Sequence, residues 1–137
     1  MSVTPAPDVD AALILGMAST ALPFAATREE EAERWLRILR LHGDAGATLQ
    51  GLGVSEGPLE EHGETPARPG SRGGEAAVAD VGARATELAA DRRAPAVGSR
   101  DVLVAVMQVY GDDFDRVLRV HGTDRDEVLE RLDAPDA

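Results

Sequence analysis

The 137-residue chain contains no cysteine, no lysine and no asparagine. Without a thiol there is no disulfide, no thiol nucleophile and no cysteine-ligated zinc or iron–sulfur centre. Without a lysine there is no Gly-x-x-x-x-Gly-Lys phosphate loop, so ATP-driven work by this chain alone is excluded. Aromatic residues make up 3% of the chain, and the four of them, Phe24, Trp35, Tyr110 and Phe114, are scattered. That leaves no platform on which single-stranded nucleic acid would stack. The longest apolar run, residues 11–18, is too short to cross a bilayer, and no basic stretch precedes it as a secretion signal requires. A cytoplasmic protein that does not enter a membrane is expected. Alternating apolar and polar residues are also missing, so no strand is expected.

What the chain does have is a strong acidic bias, with 25 acids against 14 bases and a formal charge of −11. Phosphate polymers and anionic membrane surfaces are repelled by such a field, which removes nucleic acid from the expected partners. Hydrophobic residues form 43% of the sequence and charged residues 28%. That balance belongs to one globular domain able to bury a core without staples.

Helical spacing runs through most of the chain. Residues 1–7 carry two prolines and no periodicity, and read as a loose tail. From there Asp8 is a plausible N-cap, and Val9, Leu13, Gly16, Met17 and Thr20 fall on one stripe of a helix that Pro23 stops. Ile14 and Leu15 are apolar as well, so this helix is expected to be covered on most sides. Thr27 and Glu30 form a capping box before a stripe of Ala32, Trp35, Leu36 and Leu39, ending at Gly43. A shorter helix over residues 44–52 stops at Gly53. Residues 63–74, rich in Gly, Pro, Arg, Ser and Glu, read as a flexible connector. Periodicity resumes with Val78, Val81, Ala85 and Leu88, and restarts after an N-cap at Ser99 with Val102, Leu103, Val106, Met107 and Tyr110. An Asp112 cap then precedes Phe114, Val117, Leu118 and His121. The last helix opens on Thr123 and Asp126 and buries Val128, Leu129 and Leu132.

The two halves share an order of signals. Leu39, Gly43, Leu49 and Gly53 reappear as Met107, Gly111, Leu118 and Gly122, each time a helix end, a short helix and a second glycine stop. We read an internal duplication, with one repeat over residues 8–62, the connector, a second repeat over 75–132 and a tail over 133–137. Pairing two small helical units closes a core that neither closes alone.

The stretch LAADRRAPAVGSRDVLVAVMQVYGDDFDRVLRVHGTDRDEVLERL, residues 88–132, and its counterpart AERWLRILRLHGDAGATLQGLGV, residues 32–54, resemble the amino-terminal domain of the Clp unfoldases. The resemblance lies in a Val-Gly-Ser turn, a helix start in the Glu-His-Leu-Leu position and a later glycine helix end. It implies an all-α fold of two pseudosymmetric repeats of about four short helices, and a module that docks adaptors and substrate segments. The ATPase ring of that family is missing here, as in its free-standing members, which implies an accessory or regulator of Clp protease that needs no cofactor. Some domains of the family bind cyclic-peptide antibiotics, so a small-molecule sequestering or resistance protein is the alternative. The groove between the repeats is the expected binding place, with Glu33, Trp35, Arg100 and Asp101 as its candidate residues. Where some members offer a carboxylate to phosphorylated arginine, this chain has Arg100, so that ligand is not carried over.

No arrangement of Ser, His and Asp with a nucleophile elbow is present, and no catalytic residue is expected. Asp112, Asp113 and Asp115, and again Asp124, Asp126 and Glu127, have the oxygens a divalent cation wants. Each cluster opens a helix, where acids satisfy free N–H groups and the helix dipole, so no metal site is expected. His42, His62 and His121 each precede a glycine, and two of them fall at helix ends rather than in a ligand set. Trp35, in step with Leu36 and Leu39, is most simply core.

Overall fold

The computed structural model describes residues 4–25, 27–54 and 73–133. Among them the chain forms β1 (Ala6–Pro7), α1 (Val9–Ala21), a 3-10 turn (Leu22–Phe24), α2 (Arg28–Leu39), α3 (Gly43–Gly51), α4 (Gly73–Asp91), β2 (Ala96–Val97), α5 (Ser99–Tyr110), α6 (Asp112–Val120) and α7 (Arg125–Asp133). The all-α expectation holds at that level. The connector up to residue 72, His62 and residues 134–137 lie outside the described residues. Gly73 and Gly74, assigned to the connector, open α4, and Asp133, assigned to a tail, closes α7.

Capping explains where most helices start. The Asp8 carboxylate accepts from the Ala11 N–H at 2.9 Å, and the Thr27 hydroxyl accepts from the Glu30 N–H at 3.0 Å. Three other starts differ by a residue from the sequence reading. At α5 the cap is Gly98, whose N–H donates to the Asp101 carboxylate at 2.9 Å, and Ser99 is already helical. At α6 the cap is Gly111, at φ +56, and Asp112 is the first helical residue. At α7 the Asp124 carboxylate accepts from the Glu127 N–H at 2.8 Å, while the Thr123 hydroxyl donates to the Glu127 side chain.

Two expectations are corrected at the amino end. The tail does not hang free at Ala6–Pro7, which pairs in parallel with Ala96–Val97 in a two-stranded ladder. The ladder extends into α1, because the Asp8 N–H donates to the Val97 carbonyl at 2.9 Å. The second correction is the phase of α1. Ala11, Ile14 and Ala18 are its buried side, whereas Val9, Leu13 and Met17 are exposed.

The core draws on every helix. Trp35, Leu36 and Leu39 of α2 and Leu49 of α3 are sealed from solvent together with Leu103 of α5 and Phe114 and Leu118 of α6. Met107 joins them, while Leu129, expected among the buried residues, is half-buried against the cluster. Helix α4 packs along α5, α2 packs on α6, and α3 packs on α5. Inside this core runs one polar chain. The Trp35 indole N–H donates to the Tyr110 hydroxyl at 3.1 Å, which donates to the Glu31 carboxylate at 2.7 Å. The Arg28 guanidinium lies 4.6 Å from the Tyr110 ring centre and bonds Asp113 and the Val109 carbonyl, closing the outer side.

Gly43 begins α3 at φ +61, a conformation that costs an L-residue about 1–2 kcal/mol. A Cβ there would also stand 2.5 Å from the Ser99 hydroxyl oxygen and 3.0 Å from an Asp10 carboxylate oxygen. Gly43→Ala is therefore expected to lower stability by about 1–3 kcal/mol in urea denaturation. The same change at Gly46, which has no positive φ but would press a Cβ against the Arg40 carbonyl at 2.7 Å, separates crowding from backbone strain.

Candidate functional site

Three helices bring their amino ends to one place. The β1–β2 ladder sets the start of α1 beside the start of α5. The Ser99 hydroxyl, 4% exposed, accepts from the Ala45 N–H at 3.0 Å and ties the first turn of α3 to the same spot. Gly43 lets these backbones close up, for the reason given above. Between them opens a cleft of about 360 Å³. Asp8 and Asp10 of the first helix and Gly43 and Asp44 of the third form part of its lining. Arg92, the Ala94–Ala96 turn, Gly98, Ser99 and Arg100 form the rest.

The charges are divided by their source. The amino-terminal segment contributes three carboxylates and the α4–α5 segment contributes two guanidinia. Asp8 spends one carboxylate oxygen on its cap. Asp10 and Asp44 are not used that way, and neither has a hydrogen-bond or ion-pair partner among the described residues. Arg92 is held in place from below. Its Nε and Nη2 donate to the two oxygens of Asp101 at 2.8 and 2.7 Å, and that bidentate bond raises the Arg92 pKa above its ordinary value. Asp101 itself is buried and receives the Gly98 N–H as well, so it is a brace under the cleft rather than part of its lining. The helix amino ends add a positive potential that favours the ionised form of the nearby carboxylates.

Of the four residues expected in the groove, Arg100 alone lines this cleft. Asp101 acts through Arg92. Glu33 sits on α2, 3.1 Å from Arg37 and 3.4 Å from the His121 ring, and Trp35 is wholly enclosed. Across the cleft from Arg100 the acids come from α1 and α3. Asp10, Asp44 and Gly98 were missed because each looks like ordinary helix-start chemistry. The available signal was the coincidence of acid, glycine and serine at three separate starts, which has meaning only after the helices are packed.

The acidic clusters have local partners. Asp113 receives Arg116 at 2.6 Å and Arg28 at 3.1 Å, and the Arg116 hydrogen bond is the main reason its carboxyl titrates below the usual range. Asp115 accepts from the Arg125 N–H and pairs with Arg119, and Asp124 caps α7. Among the described residues no group of three or more His, Cys, Asp or Glu side chains is placed to hold a metal ion. No histidine lines the cleft, and the Ser99 oxygen is engaged by a backbone N–H. The arrangement suits the seating of a charged group more than bond making or breaking. Nor is any helix among the described residues long and apolar enough to cross a membrane.

No protein-family model, no curated protein and no solved structure matches this chain.

Proposed function

We propose that the chain is a non-enzymatic binding module of the Clp amino-terminal-domain type, which seats a cationic group of a peptide segment in the cleft at the start of α1, α3 and α5. Two observations support the duplicated scaffold behind this reading. Gly43 and Gly111 have φ of +61 and +56 at one stop, and Gly53 and Gly122 have +93 and +94 at the next. Helix α2 packs on α6 while α3 packs on α5, the reciprocal arrangement that a pseudo-two-fold generates. The observation that carries the functional reading is the pair of unpartnered carboxylates, Asp10 and Asp44, in a cleft of a strongly acidic protein. An arginine or lysine side chain, or a free amino terminus, is the complement of that pair. Arg92 and Arg100 then receive a carboxylate from the same segment. A peptide natural product without charge fits this lining less well than a basic protein segment. In the cell such a module acts beside a Clp protease, presenting or withholding segments of its clients or adaptors.

Calorimetric titration with a short arginine-bearing peptide tests the site. Asp10→Asn is expected to weaken binding about tenfold, the loss of one charge-assisted hydrogen bond. The same peptide with citrulline for arginine should bind no better to the natural chain than to the variant. Equal affinity for both peptides refutes the cationic-group reading.

A further inference from the structure

Helix α1 has only one charged side chain, Asp10, although 28% of the whole sequence is charged. Its inner side meets the core through Ala11, Ile14 and Ala18. Its outer side is apolar too. Val9, Leu13 and Met17 stand one turn apart and are 74%, 47% and 40% exposed. Beside this ridge runs a trough of exposed small residues, Ala12, Gly16 and Thr20, and a Cβ added at Gly16 would meet nothing within 4 Å. A surface helix ordinarily turns a polar face to water, so this face has the composition of an interface.

We propose that a second copy of this chain docks on the outer face of α1, antiparallel across a two-fold axis. A ridge beside a parallel trough is self-complementary, since the ridge of each copy enters the trough of the other. Charge agrees with that direction. The amino end of α1 bears Asp8 and Asp10. At its carboxyl end the Arg34 guanidinium donates to the Ala21 carbonyl at 2.8 Å, while also pairing with Glu30. Antiparallel docking brings the acidic end of each helix to the guanidinium of the other. A membrane surface is the wrong occupant, because the face has no basic residue and the chain carries −11. One helix of 13 residues is roughly 20 Å long and offers less than the roughly 800 Å² per partner of a standard interface. The dimer is therefore weak and concentration-dependent.

Sedimentation equilibrium from micromolar to millimolar protein should show a monomer–dimer equilibrium, and Leu13→Asp should weaken it at least about tenfold. Thermal melts of that variant, altered at a surface position, check that it is folded. Because the natural chain has no cysteine, Gly16→Cys introduces a single thiol beside the axis, within the short reach a disulfide needs. It should oxidise to a covalent dimer faster than Val120→Cys on α6, where the side chain is 62% exposed. A monomer at every concentration overturns the proposal. So do equal oxidation of the two thiols, a dimer indifferent to Leu13→Asp, assembly beyond two copies, and an α1 face covered by a foreign helix while the chain stays monomeric.

Discussion

Replacing Tyr110 by Phe should cost about 2–5 kcal/mol of unfolding free energy, although it removes one oxygen atom and leaves the ring in place. The hydroxyl is the middle of the buried polar chain, accepting from Trp35 and donating to Glu31. Trp35 is 0% exposed and Glu31 4%, so neither regains water when the hydroxyl is gone. The variant therefore has an orphaned indole N–H and a carboxylate short of one donor, and each buried unsatisfied group costs about 1–3 kcal/mol. The chain has one tryptophan, and its fluorescence follows the transition directly. A loss under about 1 kcal/mol would mean that water enters and takes the place of the hydroxyl. The pH dependence gives a second reading. Burial first, and the bond to Glu31 next, hold the Tyr110 phenol well above its ordinary value. A group raised on folding stabilises fully below its unfolded pKa, here about 10, and loses that contribution as pH rises from there through the folded value. The natural protein should weaken with this slope above pH about 10, and Tyr110→Phe should lack it.

Truncating Leu118 to Ala should cost about 2–5 kcal/mol, by lost transfer energy and by the cavity left behind. Leu118 is fully buried on α6, and α6 is packed against α2 and α5, so the wall cannot collapse without moving a helix. Leu129→Ala is the control, because Leu129 is half-buried and its side chain is already partly in water. Its loss should stay below about 2 kcal/mol. Urea midpoints at unchanged m-value measure both. Equal losses would place Leu118 off the core face.

The residues whose environment was easiest to read were those on helices with a contrast between faces. Helix α2 sets arginines and glutamates against Trp35, Leu36 and Leu39, so its phase follows from sequence alone. Helix α1 lacks that contrast. With apolar residues around its whole circumference, the bulky Val9, Leu13 and Met17 were taken for the inner stripe, while the packing selected the smaller Ala11 and Ala18 with Ile14. Small side chains let α1 approach its neighbours closely, a gain that appears only when the neighbours are known. The β1–β2 ladder was hidden for another reason. Two residues are too few for an alternating pattern, and one of them is proline. Cap positions slipped by one at Gly98 because a glycine without a side chain is capped from inside the helix, by Asp101 reaching back. The cleft was legible in its location, between the halves, and in Arg100. Its acids were not, since a carboxylate near a helix start has a sufficient local explanation until the helix dock shows it without a partner.

The buried chain from Trp35 through Tyr110 to Glu31 also bears on the order in which the protein folds. Tyr110 and Glu31 are 79 positions apart, and neither segment satisfies its own share of the bonds. Each must hold polar groups in water until the other arrives, so a lone half gains little by collapsing early. Closing so long a loop is slow, and contacts of high sequence separation delay the rate-limiting step. The two segments should thus appear protected together in pulsed hydrogen exchange, with the amides of α2 and α5 joining in a single kinetic phase rather than one after the other.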